Sequence, residues 1–354
     1  MKALVLSGGT GTRLRPFTYS TAKQLLPVAN KSVLQHCLEN IRECGIIEVG
    51  IVVGDHGEQI AQFIGDGGRF GLNITYIRQE EPLGLAHCIA LATDFLGSED
   101  FVMYLGDNVL ADGIEEHAEE FRARRPDATV LVSAVDDPRA YGVAELAPDG
   151  TVGRLTEKPQ EPRSNLAVIG VYFFTAAIHA SVAAISPSAR GELEVTDAIQ
   201  HAIEAGGTVT VQRYRGYWKD TGNPEDLLEC NRELLSRLET TVEGEVDEET
   251  TIEGSVVIAA DAKVSRSQLR GPLVIGSGSV VSDSIIGPDV SVGENCVLNG
   301  ARVAESILLE GVTAHSIPDL RRSIVGRFAD LSVADHAQPC RLIVGDHARA
   351  EVTP

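Results

Sequence analysis

Lys2-Ala-Leu-Val-Leu-Ser-Gly-Gly-Thr-Gly-Thr-Arg-Leu-Arg-Pro-Phe-Thr-Tyr-Ser-Thr-Ala-Lys-Gln-Leu-Leu-Pro-Val28 opens the chain and decides its reading. The apolar run Ala3–Leu6 has the length and composition of a buried strand. It breaks into Gly8, Gly9 and Gly11, followed by Thr12 and Arg13. Closely spaced glycines let backbone amides approach an anion with no Cβ in the way. Arg13, Arg15 and Lys23 then set three cations after the loop. Strand, glycine loop and cations together point to a polyphosphate ligand. Two other phosphate loops fit poorly. The dinucleotide fingerprint read from Gly9 needs a glycine where Leu14 stands, and no Gly-Lys-Ser/Thr follows Gly8 at P-loop spacing.

The chain has 354 residues, enough for a full α/β domain and a smaller second one. Its formal net charge of -21 argues against nucleic acid or an anionic membrane as partner. Local cations must then supply any nucleotide site. The six cysteines (Cys37, Cys44, Cys88, Cys230, Cys296 and Cys340) form no Cys-x-x-Cys, so reduced thiols in a cytoplasmic protein are expected. No basic-then-apolar leader precedes the first strand. The apolar stretch Leu166–Ile185 is interrupted by Gly170, Thr175, His179 and Ser181, and divides into a strand (Ala167–Phe174) and a buried helix.

Candidate strands at Ala3–Leu6, Val49–Val53, Ile74–Ile77, Phe101–Leu105, Thr129–Val135, Ala167–Phe174 and Val209–Tyr214 alternate with helical patterns. Those helices are Val33–Cys44, Glu58–Ile64, Leu85–Phe95 and Ile114–Arg124. Alternation of this kind predicts an α/β fold: a mostly parallel, mixed sheet with helices on both faces. An acidic run from Glu239 to Glu253 marks a change of character. Beyond it, aliphatic residues recur at steps of six: Ile252, Ile258 and Val264, then Val274, Val280, Ile286, Val292 and Leu298. A six-residue period with Gly, Asp, Ser and Asn between predicts a parallel β-helix with three short strands per coil. The expected domains are therefore 1–238 and 239–354. The register blurs after Val303; Gly311–Leu320 reads as a loop or cap and the last residues as irregular.

Asp107 ends the buried-strand pattern Phe101-Val-Met-Tyr-Leu-Gly, at the C-terminal strand end where open α/β sheets hold ligands. Asp220, in Tyr217-Trp-Lys-Asp-Thr-Gly222, follows another strand-like run. Two carboxylates at one sheet mouth suit Mg²⁺, which shares its other sites with phosphate and water.

Gly-Gly-x-Gly-Thr-Arg-Leu-x-Pro with Lys-Gln-Leu-Leu-Pro-Val resembles the signature of sugar-nucleotide pyrophosphorylases, most closely those moving thymidylyl groups onto glucose 1-phosphate. Gln79-Glu-Glu-Pro-Leu-Gly-Leu-Ala86, Leu105-Gly-Asp-Asn108, Tyr141-Gly-Val143, Glu157-Lys-Pro159, Arg190-Gly-Glu-Leu-Glu-Val-Thr-Asp197 and Trp218-Lys-Asp-Thr-Gly222 follow in the family's order across residues 1–235. The resemblance implies a nucleotidyltransferase-type catalytic domain and a left-handed hexapeptide β-helix, as in the long form found in antibiotic-sugar pathways. It implies that Gly8, Gly9, Gly11 and Thr12 cradle the nucleotide. Gln79 would bond the pyrimidine edge with Gly84 behind the base, and Arg13 and Lys23 would hold the triphosphate as catalytic cations. Tyr141, Gly142, Glu157 and Val168 would meet the sugar, Lys158 and Arg190 its phosphate, and Asp107 and Asp220 would bind Mg²⁺. dTTP and glucose 1-phosphate are the implied substrates. β-Helices commonly associate side by side, so a homo-oligomer is expected. Other base specificities, an acetyl transfer on the β-helix with His315 as base, and a non-catalytic regulatory subunit are the rival readings. Lys31-Ser32 stands where the family usually has Lys-Pro.

Overall fold

The structure, a computed structural model, describes residues 1–147, 151–333 and 341–352, with Cys340 and the stretch around it outside that range. The chain forms two compact units. One comprises Met1–Thr10 and Leu34–Asp220, the other Gly11–Val33 and Thr221–Pro354.

The first unit is built on a nine-stranded sheet. Its strands are β1 (Lys2–Ser7), β2 (Glu48–Val53), β3 (Asn73–Arg78), β4 (Phe101–Leu105), β5 (Ala128–Ala134), β6 (Gly142–Leu146), β7 (Val152–Glu157), β8 (Leu166–Phe174) and β9 (Val209–Arg213). The order is β7-β6-β8-β4-β1-β2-β3, with β5 also paired to β8 and β9 to β5. β4, β1, β2 and β3 run parallel, as the strand–helix alternation predicts. β8 is antiparallel to β4, β5 and β6, which makes the sheet mixed.

Side chains alternate across the sheet. Leu4, Leu6, Phe101, Met103, Tyr172 and Phe174 join a core shared with Ala86, Ile89, Val182 and Ile199 from the helices Leu85–Leu91, Ile178–Ala184 and Val195–Glu204. On the other face, Tyr104 takes a hydrogen bond from Asn40 of helix Val33–Glu43, and Phe173 stacks on Phe121 of helix Glu115–Arg124. β8 changes partners midway. Its register shifts between Val168 and Tyr172 at Gly170, whose φ of 75° brings it within 2.9 Å of Leu105 measured from where a Cβ would lie. That break, which only glycine accommodates without strain, turns the Ala167–Val168 end of the strand toward β6.

In the second unit, three parallel sheets stack strand on strand from Thr241 to Val352. One wall repeats every 17 residues, so Ile252, Leu269, Ile286, Val303 and Leu320 lie in register; the other two step by 17 from Val256 to Val290 and from Lys263 to Val297, then by 16 where Val292 pairs with Leu308 and Leu298 with Ala314. The inward residues therefore step by six or by five, with five-residue steps from Val264 to Leu269, Val281 to Ile286, Leu298 to Val303 and Val303 to Leu308. This corrects the inward set counted by sixes: Val280 is 40% exposed, whereas its neighbour Val281 is fully buried with Leu269, Ile275 and Ile286. It also corrects the expected loop at Gly311–Leu320. Thr313–His315 is a full rung, paired below to Val297–Asn299 and above to Asp330–Ser332. Buried serines line one corner. Ser284 Oγ donates to the Ser282 carbonyl and accepts from the Ala301 amide 17 residues on, Ser267 and Ser306 repeat the pattern, and Ser323 does so with the Leu342 amide 19 residues on.

Candidate active site

Within the first unit, β1 ends at Ser7 and delivers Gly8. A Cβ there would lie 3.1 Å from Gln79 Oε1, so the missing side chain is what lets this backbone approach the glutamine. Gln79 continues β3, tied by its amide to the Val53 carbonyl at 2.9 Å. Its Nε2 donates to the Gly84 carbonyl at 3.4 Å and lies 3.1 Å from His87 Nδ1. Gly8, Gln79 and Gly84 thus form one cluster, with Gly9 exposed beyond it. Gly84 opens helix Leu85–Leu91 at φ 107°, ψ 172°, a region open essentially to glycine alone.

Asp107 and Asp220 come to neighbouring backbone positions. A two-stranded ribbon pairs Asn108–Leu110 with Trp218–Asp220, and sets Asp220 opposite Asn108, the residue next to Asp107. Asn108 is buried and bridges: its Nδ2 donates to Asp107 Oδ1 at 2.9 Å, and its Oδ1 accepts from Trp218 Nε1 at 2.7 Å. A pair of neighbouring carboxylates is a donor set that fits a hard divalent cation whose remaining ligands are phosphate and water. Burial, with the Asp107 carboxylate behind it, pushes the Cys37 thiol well up, so it stays protonated and outside any anion chemistry. Cys88 is likewise pushed up to about 12 by burial.

The sugar-phosphate candidates converge on the β6–β7 hairpin. Gly142 pairs with Glu157 across it, and a Cβ on Gly142 would stand 3.3 Å from Glu157 Oε2 and 3.5 Å from Val168 Cγ2. Lys158 takes a left-handed turn (φ 41°) and donates its amide to the Tyr141 carbonyl at 3.0 Å. Tyr141 meets the Trp218 ring edge-on at 5.3 Å. Glu157 divides its two oxygens. Oε1 takes Arg190 Nη1 at 3.4 Å and Lys158 Nζ at 3.5 Å, while Oε2 faces Gly142 and Thr196. Arg190 also pairs with Glu194 at 3.2 Å and Glu192 at 3.1 Å. Glu157, Arg190 and Glu194 border a cavity of about 550 Å³. Glu194, 4% exposed, was missed as a site residue although it lies inside the quoted 190–197 motif; burial pushes its carboxyl up. Asn108 and Thr196 were missed too, since nothing in their spacing marks a bridging amide or a hydroxyl behind a carboxylate.

The remaining candidates belong to the second unit. Gly11 adopts φ 63° and opens the short helical turn Thr12–Leu14, which leaves Arg13 exposed and buries Leu14. A Cβ on Gly11 would lie 3.1 Å from the Lys23 Cβ, so the glycine seats the lysine stem. Thr18 Oγ1 bonds the Gly11 carbonyl at 2.8 Å, and Arg15 lies over the Tyr19 ring at 4.8 Å. His315 stands exposed on an outer wall of the coil stack.

Residues 2–237 match the nucleotidyl transferase family model. The chain is 51% identical over 356 residues to a glucose-1-phosphate thymidylyltransferase of Streptomyces griseus, covering 100% of both chains. It is 50% identical over 354 residues to another from Streptomyces antibioticus, covering 99% of each. A crystal structure assigned to a glucose-1-phosphate thymidylyltransferase from Bacillus anthracis superposes with a TM-score of 0.62 at 36% identity, over 66% of this chain and 95% of that one. Among the described residues no helix is long and apolar enough to cross a membrane.

Proposed function

The chain belongs to the nucleotidyl transferase family, among its glucose-1-phosphate thymidylyltransferases, and from that premise we propose how its own residues carry the transfer. The reaction moves a deoxythymidylyl group from dTTP to glucose 1-phosphate, giving dTDP-glucose and pyrophosphate. The attacking sugar phosphate is already an anion and needs no general base. The work is to bring two anions together in line and to stabilise charge on the leaving pyrophosphate, which positioning and fixed cations supply.

Gly8 and Gly9, with Gly11 and Thr12, offer backbone to the nucleotide, and Gln79 bonds the pyrimidine edge while Gly84 leaves room for the base. Glu157 Oε2, Tyr141, Gly142 and Val168 receive the sugar, and Lys158 and Arg190 its phosphate. Arg13 and Lys23 neutralise the triphosphate. Lys serves here as a point charge, whereas Arg offers a fork of donors. Asp107 and Asp220 would hold Mg²⁺, which would supply shielding of the phosphate charge. The observation that carries this reading is the ribbon that pairs Asp220 with Asn108, next to Asp107, while its Trp218 lies against Tyr141. Carboxylates for a metal and a wall of the sugar subsite thus share one short element. The protein works in the cytoplasm and as a homo-oligomer.

The test is pyrophosphate release with glucose 1-phosphate and Mg²⁺, comparing dTTP, UTP, GTP, CTP and ATP, for the wild type and for Asp107→Asn and Asp220→Asn. Fastest turnover with dTTP and a loss of about 10²-fold or more in each variant are expected. Near-normal turnover in either variant removes that aspartate from the mechanism.

A further inference from the structure

The segment carrying Arg13 and Lys23 is held at two points, on either side of Lys23, once by the β-helix and once by the β-helix together with helix Pro224–Ser236. On the N-terminal side, the Ser20 and Thr21 hydroxyls donate to Asp346 Oδ2 at 2.7 and 3.3 Å. Asp346 Oδ1 accepts the Arg327 backbone amide at 2.8 Å, and Arg327 Nη1 returns to Thr21 Oγ1 at 2.9 Å. Thr21 is 2% exposed. Gly345 allows Pro16 to pack there, since a Cβ would stand 3.2 Å from the proline Cβ.

On the C-terminal side, strands Pro27–Val28 and Lys31–Ser32 form a tight hairpin. Its two central residues, Ala29 (φ 48°) and Asn30 (φ 62°), are both left-handed. Asparagine tolerates that geometry and alanine does so poorly, so the turn needs outside support. The Ala29 amide donates to Asn231 Oδ1 at 2.8 Å, and Asn30 Nδ2 donates to the Val292 carbonyl at 2.7 Å. Asn231 Oδ1 also accepts from Ser291 Oγ at 2.6 Å, with both residues 1% exposed. Between the two anchors Lys23 has its stem against Gly11.

We infer that the β-helix, together with helix Pro224–Ser236 before it, is a splint for the triphosphate cations, with Asp346, Arg327 and Asn231 as positioning residues that fix Lys23 and Arg13 through Thr21 and the Ala29–Asn30 turn. The inference rests on the proposed role of Lys23 and Arg13. An exposed cationic loop in a chain of net charge -21 has many acidic partners available to it. Tethering its backbone through hydroxyl and amide bonds, with one carboxylate engaged from several sides, sets the position from which the lysine and arginine heads reach a ligand.

The experiment uses the full chain with Thr21→Val, Thr21→Ser, Asp346→Ala and Lys23→Ala. It reads kcat and KM for dTTP and glucose 1-phosphate, KM for pyrophosphate in the reverse direction, and the thermal midpoint. Thr21→Val and Asp346→Ala are expected to lower kcat/KM for dTTP about tenfold, the loss of one or two hydrogen bonds. KM for pyrophosphate rises in step, while KM for glucose 1-phosphate stays within about twofold, and Thr21→Ser restores the wild-type constants. A merely structural anchor would lower the active fraction and leave the KM values alone. If Lys23→Ala is crippled but Thr21→Val and Asp346→Ala keep the wild-type KM for dTTP and pyrophosphate, the splint is overturned and the cation assignment stands. If Lys23→Ala itself turns over normally, the assignment beneath the splint falls and the splint with it. Should Asp346→Ala fail to fold, the Thr21→Val and Thr21→Ser pair decides alone.

Discussion

Gly84→Ala separates a glycine needed for close approach from one needed only for its φ. A Cβ at Gly84 would lie 2.4 Å from the Leu193 carbonyl oxygen and 2.6 Å from its nitrogen. That backbone cannot retreat. The Leu193 amide donates to the Leu83 carbonyl at 2.8 Å, and the Leu193 carbonyl accepts from the Ala86 amide at 2.9 Å, so the stretch is stitched on both sides of the glycine. Holding alanine at φ 107°, ψ 172° costs about 2 kcal/mol, and forcing the overlap costs about 2 kcal/mol more. Gly97 is the control: at φ 58°, ψ -132° it too lies where glycine is strongly preferred, but nothing lies within 4 Å of its would-be Cβ, so Gly97→Ala bears about 2 kcal/mol of backbone strain and no overlap. The gap of about 2 kcal/mol, which is the overlap alone, corresponds to a midpoint about 4–8 °C lower for Gly84→Ala by scanning calorimetry, for a unit of this size. Because the Gly84 carbonyl accepts from Gln79, KM for dTTP also rises in Gly84→Ala and not in Gly97→Ala. A Gly84→Ala protein melting within about 2 °C of Gly97→Ala would refute the claim that the Leu193 backbone is fixed.

Trp218→Phe keeps the ring against Tyr141 but removes the bond to Asn108, so half-saturation by Mg²⁺ is expected to rise several-fold with kcat at saturating Mg²⁺ nearly unchanged, measured by pyrophosphate release. Val281→Ala is expected to cost about 2 kcal/mol and Val280→Ala under about 0.5 kcal/mol in denaturant unfolding, the reverse of what a strict six-residue count gives. Glu194 is held above the ordinary carboxyl range by burial, so the native state keeps its proton longer than the unfolded chain does. Stability therefore falls as pH rises from the ordinary glutamate value through that raised value, and Glu194→Gln flattens this part of the midpoint-against-pH curve; parallel curves would rule the linkage out.

The central strands were legible because burial on both faces leaves continuous apolar runs, as in Ala3–Leu6 and Phe101–Leu105. β6 and β7 were not read as strands. Gly142–Leu146 and Val152–Glu157 carry Glu145, Gly153 and Arg154 on an edge hairpin, where only the few residues facing helix Val195–Glu204, such as Ala144, Val152 and Leu155, need be apolar. Their residues were visible only as motif members. The ribbon joining Asp220 to Asn108 is three residues on each strand, too short for any period, so the expectation that the two aspartates share a site followed from the motifs and the register came from the fold. In the coils the period was visible, but the five-residue step moved the inward position from Val280 to Val281, a one-residue slip that exchanges inside for outside.

The anchoring of residues 11–33 shows a different limit. Sequence motifs join Lys23 to Gly8 because they are neighbours in one signature, and the same motifs end near residue 235. Yet Thr21 bonds residues 306 and 325 positions away, and Asn30 one 262 positions away. Ser, Thr, Asn and Asp are the usual residues of coil corners and loops, so Asp346 or Asn231 carries no mark in one sequence that distinguishes an anchor from a turn. What distinguishes them is reciprocity: Thr21 Oγ1 both donates to Asp346 and accepts from Arg327, and Asn231 Oδ1 accepts from Ala29 and Ser291 together. Shared acceptors of this kind couple their donors, since losing one bond loosens the geometry of the next. Thr21→Val and Asp346→Ala combined should therefore cost less in kcat/KM for dTTP than the product of the two single losses. Full multiplicativity would mean that hydroxyl and carboxylate hold the segment independently.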